Sequence, residues 1–192
     1  LHKMPQTKEQ TGWKLPTKIK LRDGQQRALE CIERNPNKSE FVFVLPTGYG
    51  KSFVTLLAYQ MARSQGRCNR LLIVVATGIQ RQQYAKDLAK DAKTLSIDLV
   101  GDRFCVRECN GESFVVKASL KNQCEVFVTT VQSLNTKNMG FYHDLMSKGN
   151  WMLVADEAHH YSDSNTWGKA IAQLPVRLKI GLTATPSRTD NK

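Results

Sequence analysis

The chain has 192 residues, 41% of them hydrophobic and 23% charged, which leaves room for one sizeable α/β domain or two very small ones and excludes a disordered tail or a coiled coil. A chain of this size buries enough surface to need no disulfide or metal staple. Twenty-eight Lys and Arg against 17 Asp and Glu give a net charge of +11, a balance that favours a polyanionic partner, nucleic acid ahead of anionic lipid. The longest apolar runs, Leu71–Ala76 and Phe41–Leu45, are too short to cross a bilayer, and the first ten residues lack the apolar segment of a secretory signal. No membrane association is expected, and the expected setting is intracellular: cytoplasmic in a prokaryote, with the nucleus open in a eukaryote.

Residues 1–20 read as a basic, polar arm carrying Trp13, Pro5 and Pro16. From Gly24 the run QQRALECIER sets Ala28, Leu29 and Ile32 at helical spacing, until Asn35-Pro36-Asn37 stops it. FVFVL (41–45) reads as a buried strand. It breaks at Pro46-Thr47-Gly48-Tyr49-Gly50, and helical periodicity resumes over Lys51–Arg63. LLIVVA (71–76) is a second strand, followed by a turn at Thr77-Gly78 and a helix over about 79–93. Residues 98–124 give no clear element. EVFVTT (125–130) is a third strand with a short helix expected from about Val131, and WMLVA (151–155) a fourth that ends in Asp156. A helix near 166–173 leads to LKIGLTA (178–184), a fifth strand closed by Thr185-Pro186.

Strands of continuous apolar character alternating with helices predict an α/β fold, a mostly parallel sheet with helices on both faces. Ligands of such sheets bind beyond the carboxyl ends of the strands. Small polar residues cluster at those ends, at 46–52, 76–78, 129–130, 156–160 and 183–185.

Five cysteines, Cys31, Cys68, Cys105, Cys109 and Cys124, are an odd number at irregular spacing, so reduced thiols are expected. Three thiolates at Cys105, Cys109 and Cys124 with a fourth ligand such as His143 would suit zinc, but C-x3-C is not a paired C-x2-C knuckle.

The junction LPTGYGKS (45–52) reads as a phosphate-binding loop, with Pro46, Thr47, Gly48, Tyr49, Gly50, Lys51 and Ser52 as the nucleotide-binding residues. Two glycines let backbone N–H groups converge on an anion at the positive end of the following helix. Lys51 adds a movable charge for the β- and γ-phosphates, and the Ser52 hydroxyl suits Mg²⁺. The usual G-x-x-x-x-G-K-[ST] pattern has glycine where this chain has Leu45, while the strand before and the helix after supply the context the chemistry needs. Asp156-Glu157-Ala158-His159 follows the fourth strand. A carboxylate there, Asp156, would hold Mg²⁺ through water, and its neighbour Glu157 would orient or deprotonate the attacking water.

PTGYGKS, DEAH and Thr183-Ala184-Thr185 resemble, in this order, motifs I, II and III of the superfamily 2 helicases and translocases. The resemblance covers nearly all of residues 21–188 and implies a RecA-like P-loop NTPase domain, the first of that family's two, using ATP and Mg²⁺. Leu21-Arg22-Asp23-Gly24-Gln25-Gln26 resembles the adenine-reading glutamine motif, with Gln25 or its neighbour Gln26 as the base contact. Ala76-Thr77-Gly78 resembles motif Ia, although the family has proline at the position of Ala76. Thr129-Thr130-Val131-Gln132-Ser133-Leu134 resembles the next nucleic-acid motif. Thr77, Gly78, Arg81, Thr129 and Thr130 are thereby expected on a nucleic-acid backbone, where small hydroxyls and free N–H groups hold phosphates without reading sequence. Helix capping by Thr77 and Thr130 is the other reading, compatible with the first. Lys51, Asp156, Glu157 and His159 are expected at the catalytic centre, with His159 coupling it to Thr183 and Thr185.

The resemblance implies an ATP-dependent helicase or double-strand translocase of the restriction-subunit and DNA-repair branch, with DNA favoured over RNA. An RNA helicase of the DEAH type and a nucleotide-dependent scaffold without turnover are the alternatives; a small-molecule kinase would need no threonine stations. Residues 189–192 would begin a linker to a second RecA-like domain in the parent chain or a partner. Residues 1–192 alone are expected to hydrolyse ATP weakly or not at all.

Overall fold

The computed structural model describes residues 14–46, 48, 50–99, 105–106, 125–158 and 166–184. In chain order these form α1 (Asp23–Arg34), β1 (Glu40–Leu45), α2 (Lys51–Ser64), β2 (Arg70–Val75), α3 (Gly78–Thr94), β3 (Cys105–Val106), β4 (Val126–Thr130), a 3₁₀ turn (Val131–Ser133), α4 (Met139–Met146), β5 (Trp151–Asp156), α5 (Thr166–Ala172) and β6 (Leu178–Ala184). The strands make one parallel sheet in the order β1-β6-β5-β2-β4-β3.

Strand residues point alternately to the two faces, and the apolar runs fill both. Leu71, Ile73 and Val75 of β2, Met152 and Val154 of β5 and Ile180 of β6 pack with Ala28, Ile32, Leu57 and Leu88 under α1, α2 and α3. Leu72, Val74, Phe127 and Leu153 face the other way, into a second cluster with Tyr142, Leu145 and Met146 of α4 and Ile171 of α5. Cover on this second face stops short of the sheet edge: Val42 and Val44 of β1 are 63% and 52% exposed.

The two-residue edge strand β3 falls in the segment 98–124, which reads as no clear element. The helix expected from about Val131 is a single 3₁₀ turn, and α4 begins six residues after that turn. The last part of the basic arm touches the domain, because Leu15 and Ile19 pack partly against the core under α1–α3. Cys31 and Cys68 are free thiols, and burial pushes the Cys68 thiol up to about 12. Cys109, Cys124 and the side chain of Cys105 lie outside the described residues; among those described, no group of three or more His, Cys, Asp or Glu is arranged to hold a metal ion. No helix of the described residues is long and apolar enough to cross a membrane.

At the amino ends of the strands α2 is fixed by a buried ionic knot. The fully buried carboxylate of Glu125 pairs with Arg63 at 2.8 Å and accepts a hydrogen bond from the Tyr59 hydroxyl. Arg63 also donates to the Asp98 carbonyl at 2.9 Å. Burial, then the neighbouring Glu125 charge, pushes the Tyr59 hydroxyl far above its ordinary range, so it stays a donor. Removing one partner of such a pair strands the other's charge, so this knot sets where α2 sits, and with it the loop at the helix's other end.

Candidate functional site

The loop between β1 and α2 has the backbone its two glycines suggest. Gly48 and Gly50 lie at φ +78° and +74°, the left-handed region in which a Cβ is strained. Gly50 is also the N-cap of α2. No side chain caps this helix, and its first turn carries no acid. A helix start leaves N–H donors without partners, and most helices satisfy them with a side chain. Donors without a side-chain cap can take a ligand, and the helix dipole favours an anion.

Lys51, the first residue of α2, turns to the tip of β5. Its ammonium lies 3.0 Å from Asp156 Oδ1 and 3.9 Å from Glu157 Oε1. Asp156 is buried, and beyond this ion pair its Oδ1 makes no hydrogen bond. Burial raises the Asp156 carboxyl above its ordinary range, and the Lys51 charge opposes the rise without cancelling it. A hard dication with its water shell would satisfy such an oxygen, so the donor set suits Mg²⁺. Glu157 has φ +54°, a conformation that costs a residue with a Cβ of order 1 kcal/mol or more and concentrates at functional sites.

The tight turn is made possible by Gly181 of β6. A Cβ built there would stand 2.8 Å from the Ala158 Cβ, and neither methyl can swing aside. Gly181→Ala is therefore expected to destabilise the fold by about 1–3 kcal/mol, lowering the melting temperature, and to displace Asp156 and Glu157. An unchanged melting temperature would contradict this packing.

Because the folded state raises the Asp156 pKa, the proton-bound carboxyl favours folding at low pH. That advantage is lost as pH rises through the folded value. Asp156→Asn should accordingly melt at a higher temperature than wild type at neutral pH. The two should converge in acid, below the ordinary carboxylate range. Thermal melts from pH 3 to 8, on the order of the range these groups titrate over, test the sign.

The two adjacent glutamines separate by geometry. Gln25 is buried, its Oε1 accepts from the Arg22 N–H at 2.9 Å, and its Nε2 lies 3.9 Å from the position of a Cβ on Gly50. Gln26 is exposed and donates to Glu30 at 3.1 Å. Arg22, which sequence reasoning assigned no role, reaches the loop by donating to the Gly48 carbonyl at 3.5 Å. Ser52 donates its hydroxyl to Asp91 Oδ2 of α3 at 2.6 Å, and Thr55 shares a 2.7 Å bond with Tyr84 of the same helix.

Thr77 caps α3: its hydroxyl accepts from the Gln80 N–H at 3.2 Å, and Gln80 Oε1 accepts from the Thr77 N–H at 3.2 Å. Thr77 and Gly78 are exposed. The other stations are more enclosed than a surface track suggests. Arg81 is buried, with Nε and Nη1 unpartnered, a cost that a phosphate would offset. Thr129 is fully buried, its hydroxyl shared with Ser133 and, at 2.7 Å, with Tyr142. That commitment makes Thr129 a support for the turn after β4 rather than a free hydroxyl. Thr130 keeps 5% of its surface exposed, and its hydroxyl makes no hydrogen bond to a described residue. Thr183 stands partly exposed on β6, beside Val44 of β1. Thr47, Tyr49, His159 and Thr185 lie outside the described residues.

The family model of the Type III restriction enzyme, res subunit, matches residues 18–188. The chain is similar to a protein named DNA 3'-5' helicase XPB from Kineococcus radiotolerans, at 27% identity over 165 residues, covering 85% of this chain and 26% of that protein. It is also similar to the putative DNA 3'-5' helicase Rad25 of Haloarcula marismortui, at 28% over 172 residues, covering 89% and 23%. The chain thus spans about a quarter of the length of these relatives. Among solved structures, the UvsW helicase from Bacteriophage T4 has a TM-score of 0.59 at 21% identity, covering 94% of this chain and 57% of that one. A nuclease-deletion mutant of the Type ISP restriction-modification enzyme LlaGI, solved with a DNA substrate mimic, scores 0.57 at 19% identity, covering 88% and 18%. These likenesses show the fold, a RecA-like domain.

Proposed function

Since the chain belongs to the family of the Type III restriction enzyme res subunit, we propose that it is the ATP-binding half of a DNA helicase or double-strand translocase. The observation that carries this reading is the Lys51 ammonium held between Asp156 and Glu157 at a helix start that no side chain caps. A positive charge already stands where nucleotide phosphates and their cation would come together.

In this reading the N–H groups at the start of α2 and the backbone around Gly48 and Gly50 hold the phosphates, and Lys51 leaves the carboxylates to take the β- and γ-oxygens. Asp156 and the Ser52 hydroxyl hold the magnesium ion, which when bound neutralises charge developing on the phosphates. Glu157 orients the attacking water and takes its proton. Its presence beside Asp156 argues against a scaffold without turnover. Gln25, beside the loop, is placed for the adenine. Thr47 and Tyr49 complete the loop, and His159, with Thr183 and Thr185, would pass the state of the site onward.

DNA is favoured as the track by the names of the relatives and by the +11 charge. Thr77, Gly78 and Thr130 would carry its backbone, with Arg81 behind them. A second RecA-like domain, in the parent chain or a partner, would close on the nucleotide and supply the remaining transition-state charge.

The nucleotide part is tested by titrating a fluorescent ATP analogue into the purified chain with Mg²⁺. Saturable binding that unlabelled ATP displaces is expected, and none at millimolar concentration would end the reading. For the track, Thr130→Ala should weaken duplex DNA binding about three- to tenfold at fixed salt, as loss of one phosphate hydrogen bond would. Equal affinity for the two proteins would remove Thr130 from the contact.

A further inference from the structure

The Ser52 hydroxyl is the magnesium ligand of the proposed reading, and it faces the wrong partner. Its hydrogen bond runs to Asp91 Oδ2 at 2.6 Å, from α2 across to α3. Ser52 is buried and Asp91 half-buried, and the bond has the short length of a hydroxyl donating to a carboxylate. Meanwhile Asp156 Oδ1, which would hold the same ion, is buried and pairs with the Lys51 ammonium. Two oxygens expected on one cation are thus engaged with separate charges, Asp156 Oδ1 with Lys51 of α2 and the Ser52 hydroxyl with Asp91 of α3. A second bond one turn further along α2, Thr55 to Tyr84 at 2.7 Å, keeps the two helices in this register. Asp91 is therefore held in place by the packing and is not a wandering surface acid.

Resting on the nucleotide reading above, we infer that Asp91 is a positioning residue that withholds the Ser52 hydroxyl from magnesium until the nucleotide phosphates are in place. The empty site then gains little by taking up the free ion, and ion and nucleotide bind as a pair. Ser52 must turn away from Asp91 to complete the metal's shell, and the bond given up is subtracted from magnesium affinity.

The test is the Mg²⁺ concentration that half-saturates binding of a fluorescent ADP analogue, measured on the full chain for wild type, Asp91→Asn and Asp91→Ala. Nucleotide affinity in EDTA and the melting temperature are recorded for each. The half-saturating Mg²⁺ should fall about tenfold in Asp91→Ala, the scale of one charge-assisted hydrogen bond. It should fall less in Asp91→Asn, whose amide oxygen still accepts. Affinity in EDTA should stay at the wild-type value in both, which a general loosening of the fold would not produce. An unchanged or increased Mg²⁺ requirement in Asp91→Ala overturns the inference and leaves the nucleotide reading standing. A wild-type chain that binds no nucleotide, with or without Mg²⁺, overturns both.

Discussion

Replacing Lys51 by alanine should lower affinity for magnesium nucleotide by about a hundredfold or more and take hydrolysis to background. In the proposed reading the lysine gives the phosphates a mobile charge, and such charge-assisted contacts are roughly twice as strong as neutral ones. The empty protein should register the change too. Lys51 is the cation that opposes the upward shift of the buried Asp156 carboxyl. Without it that carboxyl moves further up and takes a proton at a pH nearer neutral. Calorimetric titration with nucleotide reads the first effect, and proton uptake on comparing wild type with Lys51→Ala reads the second. Wild-type affinity in the variant would remove the loop from nucleotide binding.

Glu157→Gln should separate binding from chemistry. The amide keeps the size and backbone of the glutamate, including the strained φ of +54°, and loses only the capacity to take a proton. Nucleotide affinity is expected within about threefold of wild type, and hydrolysis by the longest parent chain to fall by roughly 10²–10⁴, the usual share of a general base. A loss of affinity as large as the loss of rate would make Glu157 a binding residue and leave the water without a base.

β2, β4, β5 and β6 were legible because each is a five- to seven-residue apolar run largely buried on both faces, and β1 because its apolar, β-branched run is as short, although Val42 and Val44 stay exposed. β3 was not, since two residues at a sheet edge have no period to read. The length of the turn after β4 was equally hidden, because it is set by the Thr129–Ser133–Tyr142 hydroxyl cluster, in which Tyr142 arrives from α4. In the site, the loop and DEAH residues announced themselves through local chemistry. Arg81 shows a signal passed over: with Tyr84, Leu88 and Ala92 it lies on the buried stripe of α3 at spacings of three and four. The contacts between Gly181 and Ala158 and between Ser52 and Asp91 had no such signal. They depend on how β6 meets the end of β5 and how α3 crosses α2, which no single stretch of sequence contains.

The central claim, that this domain turns ATP hydrolysis into work on DNA, is tested most directly by ATP hydrolysis in the longest parent chain, with its Glu157→Gln variant alongside. The protein would be assayed alone and with duplex DNA, single-stranded DNA and RNA at one salt concentration, since affinities for nucleic acid shift steeply with salt. Stimulation by DNA that the variant lacks is expected: by duplex for a translocase, by single strands for an unwinding enzyme. Hydrolysis that responds to RNA alone, or that no nucleic acid stimulates and the variant matches, would contradict it.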